Sequence, residues 1–498
     1  MKKILLTYIY NALLCGVTAA FVLSACKDED EVSVPVITEI RNYAASPDDT
    51  VVQTIQAGQW VVVMGSNLSD VSQVLFGGIP ATINSTYSTD QSIVIQVPSI
   101  PFPSVPKDKL NVITVANSTG MASFEINVTG APIVSHIRNN AASPDDAIVD
   151  AIFPDQQINI VGYNLKGATQ ITFQGVEADL SSVVYTDSSA IVQVPSDFSN
   201  ADITLANMIN YTTPLGTVAF HIGIIGPPLV TNISCENPSE GSTVYVQGYN
   251  FVSIDSLKFG GTLISDFEAS PDGSTLKFVV PNLTKSGPFM VATPGGKFKT
   301  IFNVNDATTG ALCNFDDISP IGWGGSGATV SDNSADFPGN KGKYAVLQND
   351  IVPPWDWQAW NGGRIIILDK VKWIPAANEA DALDLWAVKF EINVPAAWNG
   401  NSLFVSSENN DYKITYEPWK DATGKTFKFK TEGWQTITLP FSLFRKGWGG
   451  TIPPTDLKDL LGNTESCGFA IQTMNIASSN SATSLKAAVD NIRVVKIK

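Results

Sequence analysis

Pro35-Val-Ile-Thr-Glu-Ile-Arg-Asn-Tyr-Ala-Ala-Ser-Pro-Asp-Asp49 returns further along the chain as Pro132-Ile-Val-Ser-His-Ile-Arg-Asn-Asn-Ala-Ala-Ser-Pro-Asp-Asp146. The two copies then stay in step. Gly65, Asn67 and Leu68 answer Gly162, Asn164 and Leu165; Phe76 and Gly78 answer Phe173 and Gly175; Val97-Pro98 answers Val194-Pro195. A third copy opens at Pro228-Leu-Val-Thr-Asn-Ile233, is shorter in its first loop, and regains register at Gly248, Asn250, Phe251, Phe259, Gly261 and Val280-Pro281. Self-similarity of this kind marks tandem modules.

Within each module the apolar period is two. Trp60-Val-Val-Val-Met-Gly65, Gln157-Ile-Asn-Ile-Val-Gly162 and Thr243-Val-Tyr-Val-Gln-Gly248 read as strands that stop at a glycine, where Asn-Leu or Asn-Phe starts a turn. Ile93-Val-Ile-Gln-Val-Pro98 and its counterparts are strands closed by proline, which cannot donate to a ladder. Several short strands in a short module, with no helical period, predict a small sandwich. The opening proline, Gly-x-Asn-Leu/Phe, Phe-Gly-Gly and Val-Pro together resemble the immunoglobulin-like IPT/TIG family. Aromatics in these modules are mostly single and lie in strand patterns, so spacing and presentation is the expected role. Short proline-bearing junctions, Gly130-Ala-Pro132 and Gly226-Pro-Pro228, predict a semi-rigid, elongated stalk with modest bending.

The last stretch differs. Leu312-Cys-Asn-Phe315-Asp-Asp reads as a first strand and Ala488-Val-Asp490-Asn-Ile-Arg-Val-Val-Lys496 as a last. Between them lie alternating strands such as Leu383–Val394 and Gly433–Pro440. This opening and close resemble jelly-roll carbohydrate-binding modules. The chain is thus expected to be all-β: three tandem immunoglobulin-like sandwiches and a larger jelly roll. The expected limits are 1–25 for a signal peptide, 26–33 for a tether, 34–131, 132–226 and 227–304 for the modules, and 305–498 for the jelly roll.

Ten of the eleven Trp lie between Trp323 and Trp448. Trp386 shares a strand face with Val388, Phe390 and Ile392 and so belongs to the core, as does Trp434 by its strand start; Trp373, Trp398 and Trp419 are assigned to packing or loop support. Trp323 and Trp448 instead sit in Gly-Trp-Gly-Gly, and Trp355, Trp357 and Trp360 lie between Pro-Pro and Gly-Gly. Indoles held among glycines and prolines are poorly placed to fill an interior, yet they offer an apolar face to the axial CH groups of a β-linked pyranose. Asp356, Gln358, Asn361, Arg364 and Lys389 are candidate partners for the hydroxyls. These ten residues form the expected glycan site. A plug at the end of the sandwich is the alternative for Trp323 and Trp448, and an interface with another polypeptide the alternative for the Trp355 cluster.

The ends and the bulk numbers bound the rest. Lys2 and Lys3 precede an apolar run from Ile4 to Leu23, then Leu23-Ser-Ala-Cys26 and an acidic cluster, the form of a secretory signal. The Cys at the cut resembles a bacterial lipobox, which implies acylation of Cys26. The acidic cluster resembles the export signal of Bacteroidetes surface lipoproteins, which implies the outer face of the outer membrane; a solvated linker is the other reading. A net charge of −16 argues against nucleic acid. Two His, His136 and His221, leave little for imidazole catalysis. Cys235, Cys313 and Cys467 are too scattered for a disulfide framework and are expected as buried thiols, though a Cys313–Cys467 bridge is open. Asp316-Asp317 and Asp490-Asn491 read as strand-end turns and caps, with a structural calcium as the alternative. No cofactor is implied.

Taken whole, the chain resembles the cell-surface glycan-binding lipoproteins of Bacteroidetes polysaccharide-utilisation loci, above all the multimodular type that binds xyloglucan and related β-glucans. The resemblance implies non-catalytic capture of a neutral β-glucan or β-mannan, beside a TonB-dependent transporter, its lid lipoprotein and a surface glycanase. A surface endo-glycanase and a protein-binding adhesin are the rival readings.

Overall fold

The computed structural model describes residues 33–186, 188–198, 200–321, 328–349, 364–475 and 484–498. The chain divides into two compact units, one ending at Ile224 and one running from Ile225 to Lys498.

Each of the three repeats is a sandwich of two antiparallel sheets, and the first two add a parallel pair, Thr54–Gln56 with Asn127–Thr129 and Ala151–Ile152 with Gly223–Ile224. In the first, Val36–Asn42, Trp60–Ser66 and Ser92–Gln96 face a sheet ordered Ile79–Ala81, Gln73–Phe76, Val112–Ala116, Met121–Glu125. The inward set of Val61, Val63, Val74, Phe76, Ile93, Ile95, Ile113 and Val115 is at most 1% exposed. The repeated glycine has a steric cause. A Cβ on Gly65 would stand 1.8 Å from Val36 O, and on Gly162 and Gly248 1.9 and 2.0 Å from Ile133 O and Leu229 O. Each lies opposite a register shift in the opening strand. The repeated Asn has an electrostatic one. Asn67, Asn164 and Asn250 all take positive φ, and each side-chain amide donates to the carbonyl that enters its own module: Val34, Ala131 and Pro227.

The C-terminal sandwich stacks two larger sheets. One is ordered Thr329–Ser331, Tyr344–Asn349, Leu485–Lys496, Trp386–Asn393, Gln435–Pro440, with Ala311–Cys313 also paired to Leu485–Lys496. The other is ordered Ile365–Val371, Cys467–Met474, Ser402–Ser407, Tyr412–Tyr416, Arg445–Lys446. Trp373, Trp386, Trp398 and Trp419 lie in the core between them. The strand expected over Leu383–Val394 runs Trp386–Asn393, because Leu383–Leu385 close a 3-10 turn in which Leu385 N–H reaches Ala382 O at 3.1 Å. Cys235, Cys313 and Cys467 are buried free thiols.

Within the second unit the third repeat and the jelly roll share a buried seam. Cys235 packs with Phe337, Tyr344, Trp434 and Ala488. Beside it, Glu236 pairs with Lys389 at 2.5 Å and Arg493 at 2.8 Å, and Arg493 pairs with Glu391 at 2.9 Å. Thr436 Oγ1 donates to Glu391 and accepts from Glu236 N–H. Lys389 and Arg493 are direct cross-strand partners. Two cations side by side would repel; the carboxylate that the third repeat inserts makes the arrangement tenable. All four charges are at most 4% exposed, so each depends on its partners.

Candidate functional site

The five-stranded sheet buries Leu403, Val405, Ile414, Phe469, Ile471, Ile366 and Leu368 against the core. Alternation therefore assigns the intervening residues to the other face. Register makes two rows there: Ile365–Gln472–Phe404–Thr415, and Ile367–Ala470–Ser406–Lys413–Arg445.

Trp448 follows the edge strand Arg445–Lys446 and is half-buried. Its indole stands edge-on to Phe404, with centroids 4.8 Å apart at 69°, and Lys413 Nζ lies 4.8 Å from the ring centroid. Lys413 also pairs with Asp411. Next to this corner is a groove of about 540 Å³ lined by Lys413, Thr415, Glu417, Trp419, Lys420, Arg445 and the Gly449-Gly450 turn. A half-buried indole, backed by the fully buried Phe404 and bordered by hydroxyl, carboxylate, ammonium and guanidinium groups, suits a neutral polyhydroxylated ligand, which needs an apolar face and directional polar partners together.

Of the ten residues expected at the site, Trp448 and Arg364 belong to this sheet. Arg364 immediately precedes the edge strand Ile365–Val371, and its carbonyl accepts from Thr473 N–H at 2.9 Å. The two residues mark opposite edges of a five-strand sheet, about 19 Å apart at the usual strand spacing. Trp323, Trp355, Asp356, Trp357, Gln358, Trp360 and Asn361 lie outside the described residues, as does Cys26.

Lys389 is a correction. It belongs to the other sheet, is 2% exposed, and spends its ammonium on Glu236 and on the face of Phe302, 3.5 Å from the ring centroid. Burial lowers its pKa, and no ligand hydroxyl can reach it. Sequence reasoning did not single out Phe404 and Lys413, which back Trp448 from buried positions, 0% and 6% exposed, or Gln472 in the same row as Phe404. In Ser402-Leu-Phe-Val-Ser-Ser407 the aromatic ring sits out of phase with Leu403 and Val405, but the sequence alone does not say which of the two sets meets the core.

At the two acidic turns considered for calcium, Asp316 Oδ1 accepts from Lys343 N–H at 2.9 Å and Asp490 Oδ1 from Asn491 N–H at 2.7 Å. Among the described residues no group of three or more His, Cys, Asp and Glu is placed to hold a metal ion.

The fold and this face define a multimodular all-β binding protein. Residues 304–496 match the family model described as the surface glycan-binding protein B xyloglucan binding domain, and residues 48–129 and 228–316 match the IPT/TIG domain model. An IPT/TIG domain-containing protein of Bacteroides ovatus is 24% identical over 494 residues, covering 95% of this chain and 94% of that one. A protein crystallised with xylogluco-oligosaccharide has the same fold at a TM-score of 0.53 and 19% identity, over 93% of this chain and all of the other (100%). The surface glycan-binding protein PbSGBP-B from Prevotella bryantii is similar at a TM-score of 0.45 and 19% identity, over 74% of this chain and 100% of that one.

Proposed function

We propose that this chain is a cell-surface lipoprotein that captures a neutral β-linked polysaccharide, with xyloglucan or mixed-linkage β-glucan as its ligand, and holds it without cleaving it. The observation that carries the reading is the half-buried Trp448, backed by Phe404, beside a polar groove on a jelly-roll sheet, in a region that matches the xyloglucan-binding domain model. In this reading Trp323, Trp355, Trp357 and Trp360 add stacking surface, Asp356, Gln358, Asn361 and Arg364 take hydroxyls, and the acylated Cys26 tethers the chain to the outer face of the outer membrane. A TonB-dependent transporter, its lid lipoprotein and a surface glycanase are the partners the reading calls for.

Affinity electrophoresis in gels containing xyloglucan, mixed-linkage glucan, laminarin, mannan or starch tests it. Retardation by the β-glucans with no new reducing ends after long incubation is the expected result. New reducing ends would make the chain a glycanase, and unretarded migration in every gel would leave an adhesin.

A further inference from the structure

The Trp outside the C-terminal domain, Trp60, is not in a core. It opens the Trp60–Ser66 strand of the first module and is 44% exposed. Tyr43, 60% exposed, lies beside it with ring centroids 6.3 Å apart at 46°. Register aligns them: Asn42 is the cross-strand partner of Val61, which sets Tyr43 opposite Trp60, and Trp60 is the direct partner of Gln96. Tyr43, Trp60 and Gln96 therefore form one row on the outward face of the three-stranded sheet. Gln96 Nε2 donates to Gly58 O at 2.9 Å, and its amide oxygen is an acceptor.

The second module supplies the control. Its loop is held by the same two contacts: Arg138 pairs with Asp146 as Arg41 does with Asp49, and Asn139 Oδ1 accepts from Ala147 N–H as Asn42 Oδ1 does from Thr50 N–H, although Asn140 takes a positive φ of 52° where Tyr43 does not. Yet the positions of Tyr43 and Trp60 are held there by Asn140 and Gln157, joined by a 2.8 Å hydrogen bond. The scaffold thus forms with a small polar pair at this place, and the aromatic pair is not required by the fold. Large rings left in water on a scaffold that does not need them point to a ligand.

We propose that the Tyr43–Trp60–Gln96 row is an accessory glycan-binding site, taking one or two pyranose units of the same neutral polysaccharide by stacking on the rings and hydrogen bonding to the Gln96 amide. The inference rests on the glycan-binding reading above. A protein partner fits less well: two rings cover at most about 500 Å², below the roughly 800 Å² per partner of a standard interface. A polymer that engages this row and the C-terminal domain together gains by effective concentration, whereas a short oligosaccharide does not.

The test uses the full chain labelled with 5-fluorotryptophan, the Trp60 signal being assigned from Trp60→Gln. Xyloglucan and mixed-linkage oligosaccharides should shift that signal saturably, and should still do so in a Trp448→Ala background. The double variant Tyr43→Asn/Trp60→Gln, which installs the pair the second module already carries, should melt as the parent does and bind polymer about tenfold more weakly. A Trp60 signal unmoved by either oligosaccharide, in a chain whose migration the polymers retard, overturns the accessory site and leaves the main reading standing. No retardation and no shift of any indole signal overturns both.

Discussion

Trp448 and Trp398 are the same residue type in the same domain in opposite surroundings. Trp398 is fully buried, edge-on to Phe429 at 6.1 Å; Trp448 is half-buried at the end of the outward row. Trp398→Ala should therefore cost about 3–5 kcal/mol of stability and show in the melting midpoint. Trp448→Ala, which uncovers Phe404, should lower the midpoint less than Trp398→Ala does and weaken β-glucan binding by about 1–3 kcal/mol, by analogy with base stacking on aromatics; isothermal titration with oligosaccharide measures it. A Trp448→Ala chain that binds as the parent does would remove this residue from the site. Local context separated the two groups in advance, since Trp386 and Trp434 sit in strand patterns and are buried, whereas Trp448 is flanked by glycines. What context could not give was Phe404, because a strand apolar on both faces does not say which face meets the core.

At the scale of the element, the Trp386–Asn393 strand shows why Lys389 was misread. Alternation places Trp386, Val388, Phe390 and Ile392 on the core side, and all four are there. The same alternation offers Lys389, Glu391 and Asn393 to solvent, but every residue of the strand is buried, because the third repeat covers the polar face. A sequence pattern reports which residues share a face; it cannot report that a partner module will cover it. Glu236→Ala should therefore destabilise the second unit by roughly 3–5 kcal/mol, since it leaves Lys389 and Arg493 buried with one acid between them; urea denaturation followed by fluorescence reads the loss.

Asp490 on the neighbouring strand is the direct partner of Glu391. Burial chiefly, with Glu391 and Asp316 adding to it against Arg493, pushes its pKa up to about 8. The folded chain thus keeps a proton that the unfolded chain releases near pH 4. The stability this proton supplies is complete below about pH 4 and is lost as pH rises through about 8. Asp490→Asn should flatten that slope and raise the melting midpoint most at pH 8 to 9. A midpoint at pH 9 no higher than the parent's would mean that Asp490 is already ionised at neutral pH.

For the whole molecule, the repeats made the modular plan readable, because Gly65, Asn67 and their counterparts answer to backbone geometry that every copy must satisfy. Energetic boundaries are less visible. A composition shift after Asn305 suggests that the jelly roll begins there, yet the compact unit begins at Ile225, and the acid neutralising Lys389 and Arg493 comes from residue 236. Cutting at 305 would expose Trp434 and Tyr344 where Cys235 packs and would leave two cations facing one acid, Glu391. Residues 225–498 made alone should consequently unfold in one cooperative transition, with calorimetric and van't Hoff enthalpies equal. Residues 305–498 should melt lower, and restoring Glu236 by extending the chain back to 225 should recover the difference. If the two fragments melt together, the seam is a passive contact, and the third repeat adds nothing to the stability of the jelly roll.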